Sequence, residues 1–117
     1  MRDKLLIVEG DASVMVSLEQ FFREQGYRVR TAMSGFEALA EIHDNVPDIL
    51  LSGLHMRGMS GFDLLAVVRR RFPQIRLVAM SGSVSKHGVP YGVPAPAVYQ
   101  KGTGTAALLQ AVEARRQ

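Results

Sequence analysis

Pro47-Asp48-Ile49-Leu50-Leu51-Ser52-Gly53-Leu54-His55-Met56-Arg57-Gly58-Met59-Ser60-Gly61-Phe62-Asp63 is the stretch that decides the fold of this chain. Asp48 to Ser52 is a short apolar run of the kind that forms a strand buried on both faces. A loop follows, and then Ser60-Gly61-Phe62-Asp63, which has the spacing of a capping box: a serine that accepts from the amide three residues on, and an acid that reaches back. The helix this predicts carries Leu64, Leu65, Val67 and Val68 and ends on Arg69-Arg70-Arg71, cations placed at the negative end of the helix dipole. Strand, loop and capped helix make one βα unit.

Working outward, the same unit recurs. Lys4-Leu5-Leu6-Ile7-Val8 reads as a first buried strand, and the stretch from Asp11 to Gln25 as a helix with Val14, Leu18, Phe21 and Phe22 on one face, stopped by Gly26. Tyr27 to Thr31 alternates with period two and reads as a strand near an edge. Ser34-Gly35-Phe36-Glu37 is a second capping box, 26 residues before the one at Ser60. Its helix is expected to turn Phe36, Leu39, Ala40 and Ile42 inward and to end near Asn45. Beyond the deciding stretch, Ile75 to Met80 reads as a fourth strand and Ala97 to Gln100 as a short fifth. Thr103 to Arg116 reads as a closing helix with Leu108, Leu109 and Val112 on one side. Strands alternating with helices predict an open, mostly parallel α/β sheet covered on both faces.

The rhythm breaks once. Residues 83–96 should hold the helix between the fourth and fifth strands, but Gly88, Pro90, Gly92, Pro94 and Pro96 fall there. A proline inside a helix costs about 3 kcal/mol, so at most one turn over residues 83–87 is expected, followed by an extended segment.

At 117 residues the chain is read as one domain, residues 1–117. A hydrophobic fraction of 47% against 21% charged fits a globular domain and excludes a disordered chain. No cysteine is present, which removes disulfides, thiolate metal sites and a Cys nucleophile together. No apolar run approaches the length of a membrane span or a secretory signal, so a cytoplasmic protein with no membrane partner is expected. The formal charge of +3 rests on 11 arginines against only 3 lysines. It is compatible with nucleic acid or an acidic partner, but solubility alone accounts for it. His43, His55 and His87 lack metal-ligand spacing, and no phosphate-cradling glycine motif occurs.

In open α/β sheets ligands bind beyond the carboxyl ends of the strands. There the chain places Glu9-Gly10-Asp11, Gly53, Ser81 and Lys101. Asp11 as a helix cap and Lys101 as a solvated cation would explain two of them without any function.

The ordered set of motifs resembles a receiver domain of two-component response regulators over nearly the whole chain. The resemblance is carried by Leu5-Leu6-Ile7-Val8 with its acidic loop, Gly26-Tyr27-Arg28-Val29, Ser34 to Leu39, Pro47 to Leu51, Met56 to Phe62, Ala79-Met80-Ser81-Gly82 and Lys101. It implies a bacterial, flavodoxin-like (βα)5 fold with a five-stranded parallel sheet in the order 2-1-3-4-5, the fourth helix here shortened or missing. It also implies phosphorelay signalling through an aspartate at the end of the third strand, with magnesium held by that aspartate and by acids after the first strand.

Matched residue by residue, Ser81 takes the hydroxyl position and Lys101 the lysine position. Glu9 and Gly10 take the acidic pair, with Asp11 beside them. The acceptor position falls on Gly53, three residues before Met56 and eight before Gly61. Glycine cannot be phosphorylated, so the resemblance implies a degenerate receiver with no catalytic residue and no cofactor. Glu9 and Asp11 form at most a weak metal remnant, because magnesium wants about six oxygens. Ser52, next to Gly53, faces away from the pocket as side chains alternate along a strand. With no acid at Gly53, Lys101 is expected to turn to Asp11 or Glu9.

Gly102 stands where the family has proline after the lysine, and Val98 where it has an aromatic residue; Tyr99 lies one place later. The function expected is signalling by protein–protein contact, with a histidine kinase-like protein or an output domain as partner. Val89, Tyr91, Val93 and Tyr99 are the candidate contact residues. The alternative is a basic nucleic-acid-associated module working through Arg69, Arg70, Arg71 and Arg76.

Overall fold

The structure, a computed structural model, describes residues 3–54, 56–81, 97–100 and 105–113. Along the chain come β1 (Lys4–Val8), α1 (Ala12–Glu24), β2 (Arg28–Ala32), α2 (Gly35–Asp44), β3 (Ile49–Gly53), α3 (Gly61–Arg71), β4 (Arg76–Ser81), β5 (Ala97–Gln100) and α4 (Thr105–Glu113). All strands are parallel, in the order β2-β1-β3-β4-β5. The segment expected to replace a helix, with Val89, Tyr91 and Val93, lies outside the described residues.

Strand alternation sorts the apolar side chains into two cores. Leu6, Val8, Leu50, Leu77 and Ala79 face α2 and α3, meeting Ala38, Ile42, Leu64, Leu65 and Val68. Leu5, Ile7, Ile49, Leu51, Val78 and Met80 face the other way, onto Phe22 and Tyr27 and onto Leu108 and Val112 of α4. A sheet buried on both sides needs unbroken apolar strands, which is why β1, β3 and β4 read as runs while edge strand β2 alternates.

The helix ends follow from local chemistry. Asp11 caps α1, accepting from the amides of Ser13 at 3.0 Å and Val14 at 3.2 Å. At the other end Gly26 takes φ +96°, a conformation glycine adopts without penalty. This lets Tyr27 N–H reach Phe22 C=O and Gly26 N–H reach Arg23 C=O, while the Phe22 and Tyr27 rings meet edge to face at 5.6 Å. That is the Schellman closure with its hydrophobic contact. Ser34 and Ser60 accept from the amides of Glu37 and Asp63 at 3.1 and 3.2 Å.

Three expectations are corrected. Phe36 is 65% exposed and Ala40 is also exposed, since α2 buries Gly35, Ala38 and Ile42 instead. Those positions are three and four residues apart, and Phe36 lies about 100° round the helix from Gly35. Glu37 reaches back one residue further than a capping box requires, accepting from Met33 N–H at 3.1 Å. The second, third and fourth strands each begin one residue later than the sequence pattern suggests, at Arg28, Ile49 and Arg76.

Candidate functional site

At the carboxyl ends of β1 and β3, two backbones bring Glu9 and Gly53 together. Val8 lies opposite Ser52 in register, and Glu9 N–H continues the ladder on the other side by donating to Ala32 C=O at 3.1 Å. The Glu9 side chain is only 3% exposed. Its Oε2 accepts from Asp11 N–H at 3.1 Å, and its Oε1 lies 3.0 Å from the point where a Cβ on Gly53 would stand. The carboxylate therefore sits against the position that bears no side chain.

Gly53 itself is buried, and Leu54 N–H behind it donates to Met80 C=O at 3.1 Å. The loop then returns so that Gly61 N–H donates to Leu54 C=O at 2.9 Å. Gly61 packs directly on this backbone, since a Cβ there would come within 2.6 Å of Leu54 Cα. Ser52 is fully buried on the opposite side of the strand, with its Oγ donating to Gly53 C=O at 2.9 Å. Gly10 is exposed, and a Cβ there would meet nothing closer than Met33 C=O at 3.9 Å.

A cleft of about 850 Å³ opens beside Glu9, Gly10 and Leu54. Its lining includes Glu9, Gly10 and Asp11 together with Met33, Met56, Arg57 and Phe62. Arg57, Met33 and Phe62 were not singled out by sequence reasoning. The signal available was position: Arg57 lies in the loop that leaves β3, the loop class from which ligand-facing groups of such sheets are drawn.

The donor set does not suit magnesium. Asp11 commits Oδ1 to the first turn of α1, where it also accepts from Ser13 Oγ at 2.8 Å. Gly10 and Gly53 supply no side-chain oxygen. Among the described residues no three acidic, histidine or cysteine side chains gather as a metal site. Asp11→Ala removes a helix cap and is expected to cost about 1 kcal/mol, measured as a shift in urea midpoint. A loss below a few tenths would show that the cap contributes nothing.

Ser81 closes β4, opposite Gln100 of β5 in register, and Tyr99 lies opposite Met80. Lys101 lies outside the described residues, and with it the expectation that its amine turns to Glu9 or Asp11.

Residues 5–112 match the family described as response regulator receiver domain. The chain belongs to that family. The receiver domain is 33% identical over 75 residues to the DNA-binding transcriptional regulator NtrC of Salmonella typhimurium, covering 64% of this chain and 16% of that protein. It is 28% identical over 81 residues to sporulation initiation phosphotransferase F of Bacillus subtilis, covering 69% of this chain and 65% of that one. This receiver thus spans less than two thirds of the length of either curated relative.

Among solved structures it superposes on the chemotaxis protein CheY4 of Vibrio cholerae with a TM-score of 0.83 at 25% identity, covering 94% of this chain and 95% of that one. A receiver domain protein from Methanospirillum hungatei gives 0.84 at 24%, covering 94% and 90%. The flavodoxin-like receiver fold is thereby confirmed. No described helix of this receiver is long and apolar enough to cross a membrane.

Proposed function

We propose that this receiver signals by protein–protein contact without aspartyl phosphorylation, as a single receiver-like domain over residues 1–117. One observation carries the reading. The acceptor position is Gly53, and the space a side chain would enter there is bordered by the buried carboxylate of Glu9 at 3.0 Å. Glu9, Gly10, Asp11, Gly53, Ser81 and Lys101 are then a remnant site with no catalytic role, and the domain is not an enzyme. Its partner is a histidine kinase-like protein or an output domain, in the cytoplasm.

The nucleic-acid alternative through Arg69, Arg70, Arg71 and Arg76 has less support. Arg76 is only half-exposed and donates to Val112 C=O, so it ties β4 to α4. Arg69, Arg70 and Arg71 occupy the last turn of α3, where the dipole favours cations. NtrC is a DNA-binding regulator as a whole protein, and this chain matches 16% of it; DNA binding is not carried over from that match.

The test is incubation with acetyl phosphate and magnesium, followed by intact-mass measurement. No phosphoryl adduct is expected. Magnesium at low millimolar concentration is also expected to leave the melting temperature unchanged, whereas a native-state ligand at one hundred times its Kd would add about 2.7 kcal/mol. A phosphoryl adduct that requires magnesium, or a magnesium-specific rise of several degrees in melting temperature, refutes the reading.

A further inference from the structure

A second concavity lies at the opposite pole of the sheet, around the amino-terminal parts of β1 and β2. Its volume is about 620 Å³, and its charged lining is Lys4, Arg23, Arg28 and Arg30 against the single acid Glu41. Arg23 pairs with Glu19 at 2.9 Å and Arg30 with Glu41 at 2.8 Å, with all four side chains more than a quarter exposed. Exposed pairs of this kind contribute little to stability and exchange partners readily. Arg28 is exposed and makes no ion pair among the described residues.

The wall of this cleft is a sheet edge. β2 is the outermost strand and pairs only with β1. Arg28 N–H donates to Asp3 C=O, and Ala32 C=O accepts from Glu9 N–H. In a parallel ladder alternate residues turn their backbone groups toward the neighbour, so Arg28, Arg30 and Ala32 face β1 while Val29 and Thr31 turn theirs outward. The outward carbonyl of Val29 accepts from a side chain, Arg23 Nη2, at 2.9 Å. The edge is thus a strand template held shut by one arginine whose other partner is a surface glutamate.

We propose that the free edge of β2 docks an acidic segment of a partner protein in extended conformation, which adds to the sheet as a sixth strand. Charge complementarity selects this occupant. Val29 is buried toward α1, so Arg28 and Arg30 project from the other face, two residues apart, about 7 Å along the strand. Side chains of an added strand repeat at the same interval, so carboxylates at alternate positions meet both guanidinium groups. The incoming amide takes Val29 C=O, and Arg23 is released to a carboxylate of the newcomer. The cleft shares no lining residue with the one beside Glu9, and the proposal does not depend on whether the domain is phosphorylated.

The probe is a fluorescein-labelled seven-residue peptide alternating glutamate and valine, with a lysine-valine peptide as its counterpart, read by fluorescence polarisation. Saturable binding of the glutamate peptide alone is expected, weakened at least tenfold by Arg28→Glu and unaffected by Arg70→Glu on α3. Hydrogen exchange on the unaltered protein is expected to slow at the amides of Val29 and Thr31 when the peptide is added, which keeps the proposal testable if Arg28→Glu misfolds. Equal weakening by both substitutions would mean diffuse charge attraction and would overturn it. So would protection confined to other strands, or binding of phosphatidylserine vesicles in place of the peptide.

Discussion

Gly61→Ala is expected to lose about 3 kcal/mol of stability, at the upper end for one inserted methyl group. The reason is what the methyl would meet. A Cβ at Gly61 falls on the carbonyl of Gly53 and lies 2.6 Å from Leu54 Cα, and both are backbone atoms of a strand end hydrogen-bonded on either side. No rotamer relieves such a contact, so α3 must back away from β3. The gain of about 1 kcal/mol in helix propensity on replacing glycine by alanine offsets only part of this. Gly10→Ala is the control, since its Cβ meets only Met33 C=O at an ordinary contact distance of 3.9 Å, and it should change stability by less than about 0.5 kcal/mol. Urea midpoints compare the two. Equal effects would mean that the close approach of α3 to β3 carries no energetic weight.

Gly53→Asp is expected to destabilise the domain in the presence of a chelator and to make its melting temperature respond to magnesium. The new side chain starts 3.0 Å from Glu9 Oε1. Two carboxylates about 4 Å apart repel by about 4 kcal/mol at an effective dielectric constant of 20. Glu9 ends in a flexible carboxylate and relieves part of that by turning, which leaves a net loss of about 1–3 kcal/mol. A divalent cation removes the repulsion, and low-millimolar magnesium should restore the lost stability. Gly53→Asn separates charge from bulk: it fills the same space without a second negative charge and should lack the magnesium response. Indifference of Gly53→Asp to chelator and magnesium alike would show that Glu9 does not face the acceptor position in solution.

Much of this was legible in the residues. The apolar runs at Leu5–Val8 and Ile49–Leu51 can only be strands covered on both faces, and with parallel alternation they define the sheet. The caps at Asp11, Ser34 and Ser60 were equally plain, because a short polar side chain before a helix has one good use there. That Ser52 faces away from the pocket followed from period two alone. Phe36 was misread because apolar spacing identifies a stripe but not its centre; α2 centres its stripe on Gly35, Ala38 and Ile42, leaving the ring outside. That Glu9 and Gly53 share one rim was legible, but the closeness of the Glu9 carboxylate to the vacant acceptor position was not. That closeness depends on the register of β1 against β3, with Val8 beside Ser52, and register joins residues more than forty positions apart. The cationic edge at β2 was hidden likewise, since Lys4, Arg23, Arg28 and Arg30 are scattered in sequence and gather only when β1, β2 and α1 pack.

The strand order has a consequence for how the chain is made. β1 is synthesised before every other element, yet it lies inside the sheet, between β2 and β3. Its neighbours follow one after the other, and the second ends only at Gly53. At about 5–20 residues per second, translation takes roughly 2–9 s to go from the end of β1 to the end of β3. Throughout that interval Leu5, Leu6, Ile7 and Val8 form a nascent apolar segment with at least one bare edge. Within this domain the ribosome thus delivers a central apolar strand well before the second of its neighbours, so slowing elongation before Gly53 should raise the demand for chaperones more than slowing it afterwards.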